Sequence, residues 1–192
     1  MSIVKFIRER DGGRVSVGII TDDGERVLSI GAALYASMSF TRGSELTDDE
    51  LLSLSRDDEE YRAMKKALSL LGYSDKNKRT LYLRLIHEGF SREVVTAVVE
   101  RCMGSGYINE RDQLTRLILR EANVNLRGPR YIRDKLAAKG YSRTDIDAVI
   151  CELTDGGEID FDMNLRRLCE KKGATTPDER RALAYKYGYR SN

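Results

Sequence analysis

Between Arg116 and Arg143 the chain gathers the side chains best suited to holding phosphate: Arg116, Arg120, Arg127, Arg130, Arg133, Lys135, Lys139 and Arg143, with Tyr131 among them. Guanidinium groups present paired N–H donors that match phosphate oxygens, and lysine adds a mobile point charge. Such clustering is the chemistry of a surface that meets a nucleic-acid backbone or acidic groups on a protein. Arg116 and Arg120 stand four apart, and Arg130 and Arg133 three apart, so on helices each pair shares a face. Ile132 and Leu136 mark the apolar stripe of the second segment, which leaves Arg130 and Arg133 to face a partner. Tyr131 neighbours both and is the aromatic best placed for a binding surface, although half-buried packing is the commoner fate of such a tyrosine. On charge alone, the cluster reads equally well as a solvated face.

Groups able to run catalysis are scarce. His87 is the only histidine, and it sits on a helix at the surface position that Ala138 fills in a second copy of the same pattern. Cys102, Cys151 and Cys169 are odd in number, far apart and without C-x-x-C spacing, so neither a zinc site nor a disulfide framework is expected. Their mostly apolar helix positions predict buried, reduced thiols. Neither a G-x-x-x-x-G-K-[ST] loop nor a G-x-G-x-x-G after a strand occurs. The acidic pairs Asp22-Asp23 and Asp48-Asp49 fall where turns and helix starts want them. The expectation is a protein that is not an enzyme and takes no metal and no cofactor.

The 192 residues, 41% hydrophobic and 33% charged, suit two or three small soluble domains. No apolar run approaches the roughly 20 residues of a membrane helix. Met1 to Arg10 lacks the apolar core of a secretory signal, so no membrane partner and a cytoplasmic location are expected. The net charge of +2 conceals a split. Residues 1–61 hold 7 Lys+Arg against 13 Asp+Glu, net −6, and the remainder holds 26 against 18, net +8. An acidic piece joined to a basic one suits an anionic partner, nucleic acid being the commonest.

The elements that must position these groups come from a duplication. Leu81 to Ile108 reappears as Ile132 to Ile159, with Gly89 answering Gly140 at an offset of 51 residues. Leu81 answers Ile132, Leu85 Leu136, Phe90 Tyr141, Val95 Ile146, Val98 Val149, Val99 Ile150 and Ile108 Ile159. The pattern predicts a mainly α fold: an elongated tandem array of three-helix modules, the third truncated, behind a small N-terminal antiparallel β-rich domain. The expected boundaries are residues 1–60 for an acidic meander of three strands with short helices, 61–108 for module one, 109–159 for module two and 160–192 for module three. Within these, a helix N-capped by Thr47 precedes a charged junction at Arg56 to Glu60. Module one is expected over Tyr61 to Leu71, Asn77 to His87 and the segment after Ser91. Module two is expected over Glu110 to Ala122, Pro129 to Lys139 and Ser142 to Thr154, and module three over Asp162 to Lys172 and Pro177 to Tyr187. Tyr107, Tyr141 and Tyr189 are expected to plug module corners, each with a solvated hydroxyl.

Gly128-Pro129-Arg130-Tyr131-Ile132-Arg133-Asp134-Lys135-Leu136-Ala137-Ala138-Lys139-Gly140-Tyr141 resembles the G-P-x-x-I-x-x-x-L-x-x-K-G pattern of the RecX family, bacterial regulators of the recombinase RecA. Gly106-Tyr107-Ile108-Asn109-Glu110 resembles that family's link between modules, and Leu81 to Phe90 its helix end. Thr80, where the family has Glu, and Ala184, where it has a core Leu, depart from the pattern. The resemblance implies a regulator that binds RecA filaments, contacting single-stranded DNA within them and duplex DNA more weakly. It would limit their extension or activity and so modulate recombination and the SOS response, without forming an oligomer of its own. Two alternatives stand beside it. One is a DNA-binding repeat protein, sequence-independent or resembling helix-turn-helix units, that acts without RecA. The other is a protein scaffold whose Arg130 and Arg133 pair with acidic groups.

Overall fold

The computed structural model describes residues 2–189. Three strands, β1 Ser2–Arg10, β2 Arg14–Thr21 and β3 Gly24–Gly31, form the expected antiparallel meander. The turn at Asp11-Gly12-Gly13 needs two residues with positive φ, which Gly12 and Gly13 supply at 76° and 71°. Val15, Val17 and Ile19 alternate along β2 into a core with Val4, Leu28, Ile30, Phe40, Leu46 and Leu54. A fourth strand, β4 Glu45–Leu46, pairs with β1 and extends the sheet to the order β3-β2-β1-β4. The three-strand expectation is corrected here, because two residues are too few to carry a period and β4 is defined only by pairing with Ser2 and Ile3.

After α1, Ala32–Ser37, comes α2, Asp48–Tyr73, which starts on the expected cap: the Glu50 amide donates to the Thr47 hydroxyl and the Glu50 carboxylate accepts from the Thr47 amide. It then runs unbroken through the boundary expected at residues 60/61. The charged stretch Arg56 to Glu60 contains no helix breaker, and its carboxylates have structural partners. Asp57 accepts the Gly31 amide at 2.8 Å and pairs with Arg14 at 2.9 Å; Asp58 accepts the Ser29 amide at 2.7 Å and pairs with Arg62 at 2.8 Å. Strand β3 is an edge, so its outward amides need acceptors, and one turn of α2 provides them.

Helices α3 Lys78–His87, α4 Arg92–Gly104, α5 Glu110–Leu119, α6 Pro129–Ala138, α7 Arg143–Asp155, α8 Phe161–Lys172 and α9 Pro177–Tyr187 complete the chain. The mainly α fold with an N-terminal antiparallel sheet is as expected. Two compact units result. One takes in everything up to Ser74 together with Tyr82–Gly104; the other takes in Asp75–Leu81 together with everything from Ser105 onward.

The duplication is visible in geometry. Gly89, Gly140 and Gly188 adopt φ of 91°, 96° and 84°. The amide of each following residue bonds the carbonyl five positions back: Phe90 to Leu85 at 3.3 Å, Tyr141 to Leu136 at 3.2 Å and Tyr189 to Ala184 at 2.8 Å. Each matched aliphatic pair, from Leu81 with Ile132 to Ile108 with Ile159, is buried in both copies, and the corner pair Phe90 and Tyr141 is half-buried in both. In the second unit Leu114, Ile118, Ile132, Leu136, Ile146, Val149, Ile150 and Ile159 share one cluster; Leu126, Leu168, Ala184 and Tyr189 form another.

Several local expectations change. The helix expected to run to Ala122 gives way at Arg120–Val124 to a π-helical turn, followed by Leu126 at φ 51°, a left-handed value rare for a branched side chain. Tyr107 is 57% exposed and plugs nothing, because it answers Glu158 and not the corner residues. Tyr189 does plug a corner, but its hydroxyl is buried without a partner among the described residues, and burial pushes its pKa up to about 12. Tyr141 is half-buried, its hydroxyl donating to Gln113 at 2.9 Å. Cys102 and Cys169 are buried thiols as expected, whereas Cys151 is exposed and faces Asp155. Of module three, expected over 160–192, residues 190–192 lie outside the described residues.

Candidate functional site

Helix α6 begins without a side-chain cap, because Gly128 occupies the N-cap position and Pro129 the first turn. Free N–H groups at a helix start need acceptors. The C-terminus of α9 supplies two: the Gly128 amide donates to the Tyr187 carbonyl at 2.9 Å, and the Arg130 amide to the Gly188 carbonyl at 3.1 Å. The positive end of one helix thus meets the negative end of another. Contact is so close that a Cβ on Gly188 would lie 2.5 Å from the backbone nitrogen of Tyr131, and one on Gly128 would overlap the Tyr189 amide. This backbone clasp explains why the Gly-Pro pair stands where it does.

The clasp brings Tyr187 opposite Tyr131, and Arg127 fills the gap between them. Its guanidinium carbon lies 4.4 Å from the Tyr131 ring centre and 4.5 Å from that of Tyr187. Both are cation–π distances. Among the described residues no oxygen accepts a hydrogen bond from this guanidinium. Lys135, on the next turn of α6, lies 5.6 Å from the Tyr131 ring and pairs with Glu121 at 2.6 Å. Burial pushes the Glu121 carboxyl up, but hydrogen bonds from Lys135 and Asn125 and the charges of Lys135 and Arg127 outweigh it and hold the group below its ordinary value. Exposed Lys171 and Lys172, from the last turn of α8, complete the rim of a recess of about 360 Å³. Arg130, next to Tyr131 on α6, is exposed and lies 5.9 Å from the ring of Tyr185, which is 70% exposed.

The remaining candidates lie elsewhere in the same unit. Arg116, Arg120 and Lys139 line a second recess of about 590 Å³ with Asn77, Gln113 and Tyr141. There Arg116 is paired with Asp75 at 2.6 Å, and the Lys139 carbonyl accepts from the Asn77 side chain at 2.9 Å. Arg133, expected to share a free face with Arg130, pairs instead with Asp147 on α7, and Arg143 is exposed at the start of that helix. Tyr131 is half-buried. The single predicted stripe is therefore divided: Arg127, Tyr131 and Lys135 converge, Arg130 flanks them, and Arg116, Arg120 and Lys139 form a second group. Sequence reasoning missed Tyr185, Tyr187, Lys171 and Lys172. The surplus of 10 Tyr over 4 Phe was the available signal, but nothing local ties a residue at 187 to one at 127.

Among the described residues no group of three or more His, Cys, Asp or Glu is placed to hold a metal ion. None of their helices is long and apolar enough to cross a membrane. His87 is exposed.

No protein-family model matches the chain. It is 24% identical over 167 residues to a protein named regulatory protein RecX from Clostridioides difficile, covering 87% of this chain and 78% of that one. A protein of the same name from Bacillus cytotoxicus is 24% identical over 86% of this chain, which spans 61% of its length. A third, from Limosilactobacillus reuteri, is 20% identical over 97% of this chain and 69% of its own. Among solved structures, a crystal structure of regulatory protein RecX superposes with a TM-score of 0.74 at 17% identity, covering all of this chain and 96% of that one. RecX from Lactobacillus salivarius superposes with a TM-score of 0.54 over 65% of this chain. With the duplicated modules, the Gly-Pro clasp and the shared fold, these relatives support assignment of the chain to the RecX family.

Proposed function

We propose that the chain is a regulator of the RecX type that binds RecA nucleoprotein filaments and limits their extension or activity, modulating recombination and the SOS response. The observation that carries this reading is the coincidence of relatives named regulatory protein RecX with repeated helical modules that bear concave basic surfaces in the second unit. Repeats of this kind spread binding energy over several modules, as grip on a polymer requires. Cationic side chains would meet the DNA of the filament while other faces meet protein. The role is one of binding, acts as a monomer in the cytoplasm, and needs no cofactor.

The test is RecA ATP hydrolysis on single-stranded DNA, followed while this protein is titrated from substoichiometric to stoichiometric amounts. The expected result is slower hydrolysis that deepens with the ratio. An unchanged rate at every ratio would reject the proposal. One observation favours a second reading, DNA binding without RecA: the recess around Arg127 needs no protein partner to be complete. Binding to bare duplex with clear sequence preference would support that reading over the first, since phosphate-dominated contacts show little preference and weaken steeply with salt.

A further inference from the structure

We propose that the recess around Arg127 is a binding site for the phosphodiester backbone of single-stranded nucleic acid, assembled only when α9 is clasped to α6. The inference deepens the filament reading by naming which surface meets the DNA, and it is tested without any recombinase present.

Arg127 carries the argument. A free arginine side chain samples many rotamers, and ordering it on a ligand costs free energy. Here the guanidinium carbon already lies over the Tyr131 and Tyr187 rings, 4.4 and 4.5 Å from their centres, with no described acceptor for its N–H groups. A planar fork of unclaimed donors, fixed in advance, matches two oxygens of one phosphate. The charges around it agree. Arg127, Lys135, Lys171 and Lys172 line the recess against the single carboxylate of Glu121, which is bonded to Lys135 at 2.6 Å and held ionised.

Size and shape select the ligand. A recess of about 360 Å³ admits a phosphate with its sugar. Two residues before Tyr187 on α9, Tyr185 is 70% exposed beside Arg130, offering a ring on which an unpaired base leaving the recess can stack. A duplex keeps its bases paired and has no use for that platform; an acidic peptide would use the cations and leave the ring idle.

Half of the arginine clamp comes from another element. Tyr187 belongs to α9, whose position depends on the bonds from Gly128 to Tyr187 and from Arg130 to Gly188. Moving α9 takes away one ring without removing a single charge. Ligand binding and α9 docking are therefore linked, and a bound strand stabilises the clasp.

The experiment is fluorescence anisotropy of a labelled oligothymidylate with the full chain, repeated over a range of salt. Arg127→Ala is expected to weaken binding about tenfold, the loss of one charged hydrogen-bonding group. It should also lower the slope of log affinity against log salt by about 1. Gly188→Ala alters no charge, yet its methyl group would overlap the Tyr131 backbone, and it is expected to weaken binding by a similar factor. Where circular dichroism shows that Gly188→Ala has unfolded, Tyr187→Leu replaces it, with the same expectation. Lys65→Ala, an exposed charge in the other unit, is expected to change nothing. Oligothymidylate affinity unchanged in both Arg127→Ala and the Lys171→Ala/Lys172→Ala double variant would overturn the proposal. So would equal competition by a duplex of the same length or by polyglutamate. Each of these results leaves the hydrolysis assay independent, so the site can fail while the filament reading stands.

Discussion

Replacing Gly128 with alanine tests the clasp directly. The new Cβ would overlap the Tyr189 amide and lie 2.5 Å from the carbonyl carbon and oxygen of Gly188. These are backbone atoms, so no side-chain rotation relieves the overlap and the two helix ends must separate by on the order of 1 Å. That separation forfeits the bonds from Gly128 to Tyr187 and from Arg130 to Gly188, now 2.9 and 3.1 Å. At about 1 kcal/mol each, the loss is about 2 kcal/mol, a lower bound if the corner around Tyr189 also loosens. Native-state hydrogen exchange is the assay. About 2 kcal/mol corresponds to roughly thirtyfold faster exchange at the Arg130 amide, whereas the Ser29 amide, held by Asp58 in the other unit, should not change. Unchanged exchange at Arg130 together with an unchanged melting temperature would refute the clasp as the joint between α6 and α9.

Three further outcomes are expected. Tyr189→Phe removes a buried hydroxyl that has no described partner, and urea denaturation should show a gain of about 0.5–1 kcal/mol. Because the folded Tyr189 pKa lies near 12 against 10.0 for the free group, its share of stability is complete below pH 10 and is lost as pH rises toward 12. Tyr189→Phe should therefore flatten the alkaline limb of a pH–stability curve, and an identical limb in both proteins would contradict the burial of the hydroxyl. Glu121 has the opposite sign: its lowered folded value adds stability above the unfolded carboxyl range and surrenders it as pH falls through the folded one. Glu121→Gln should cost stability at neutral pH and blunt the acid limb, measured by thermal unfolding from pH 7 downward. Finally, Leu136→Ala, in a site 1% exposed within the second unit's core, should lower unfolding free energy by about 2–5 kcal/mol in urea titrations; a loss under about 1 kcal/mol would contradict the packing described.

Much of the helical part was legible because its signals are local. Gly89 and Gly140 predicted left-handed corners at matching places, and the apolar pairs around them predicted which faces are buried; both follow from bonds and contacts within a turn or two. Thr47 before Asp48, Asp49 and Glu50 marked a helix start for the same reason. The end of that helix was misread. Arg56 to Glu60 reads as a solvated junction until Ser29 and Gly31 on β3 are seen to need Asp58 and Asp57 as acceptors. Strand β4 has no existence apart from its partner β1.

The candidate site divides in the same way. Composition and spacing alone determined that cations cluster between Arg116 and Arg143, that catalytic groups are scarce, and that the modules repeat. Tertiary structure decided which cations are available. Arg116 is taken up by Asp75, 41 residues away, and Arg133 by Asp147, 14 away, while Arg127 is set between rings that the chain brings together from Tyr131 and Tyr187. The physical reason is range: propensity, capping and periodicity act within a turn or two of helix, whereas the partner of a charged side chain is chosen by whatever the packing of distant segments places within a few ångströms of it.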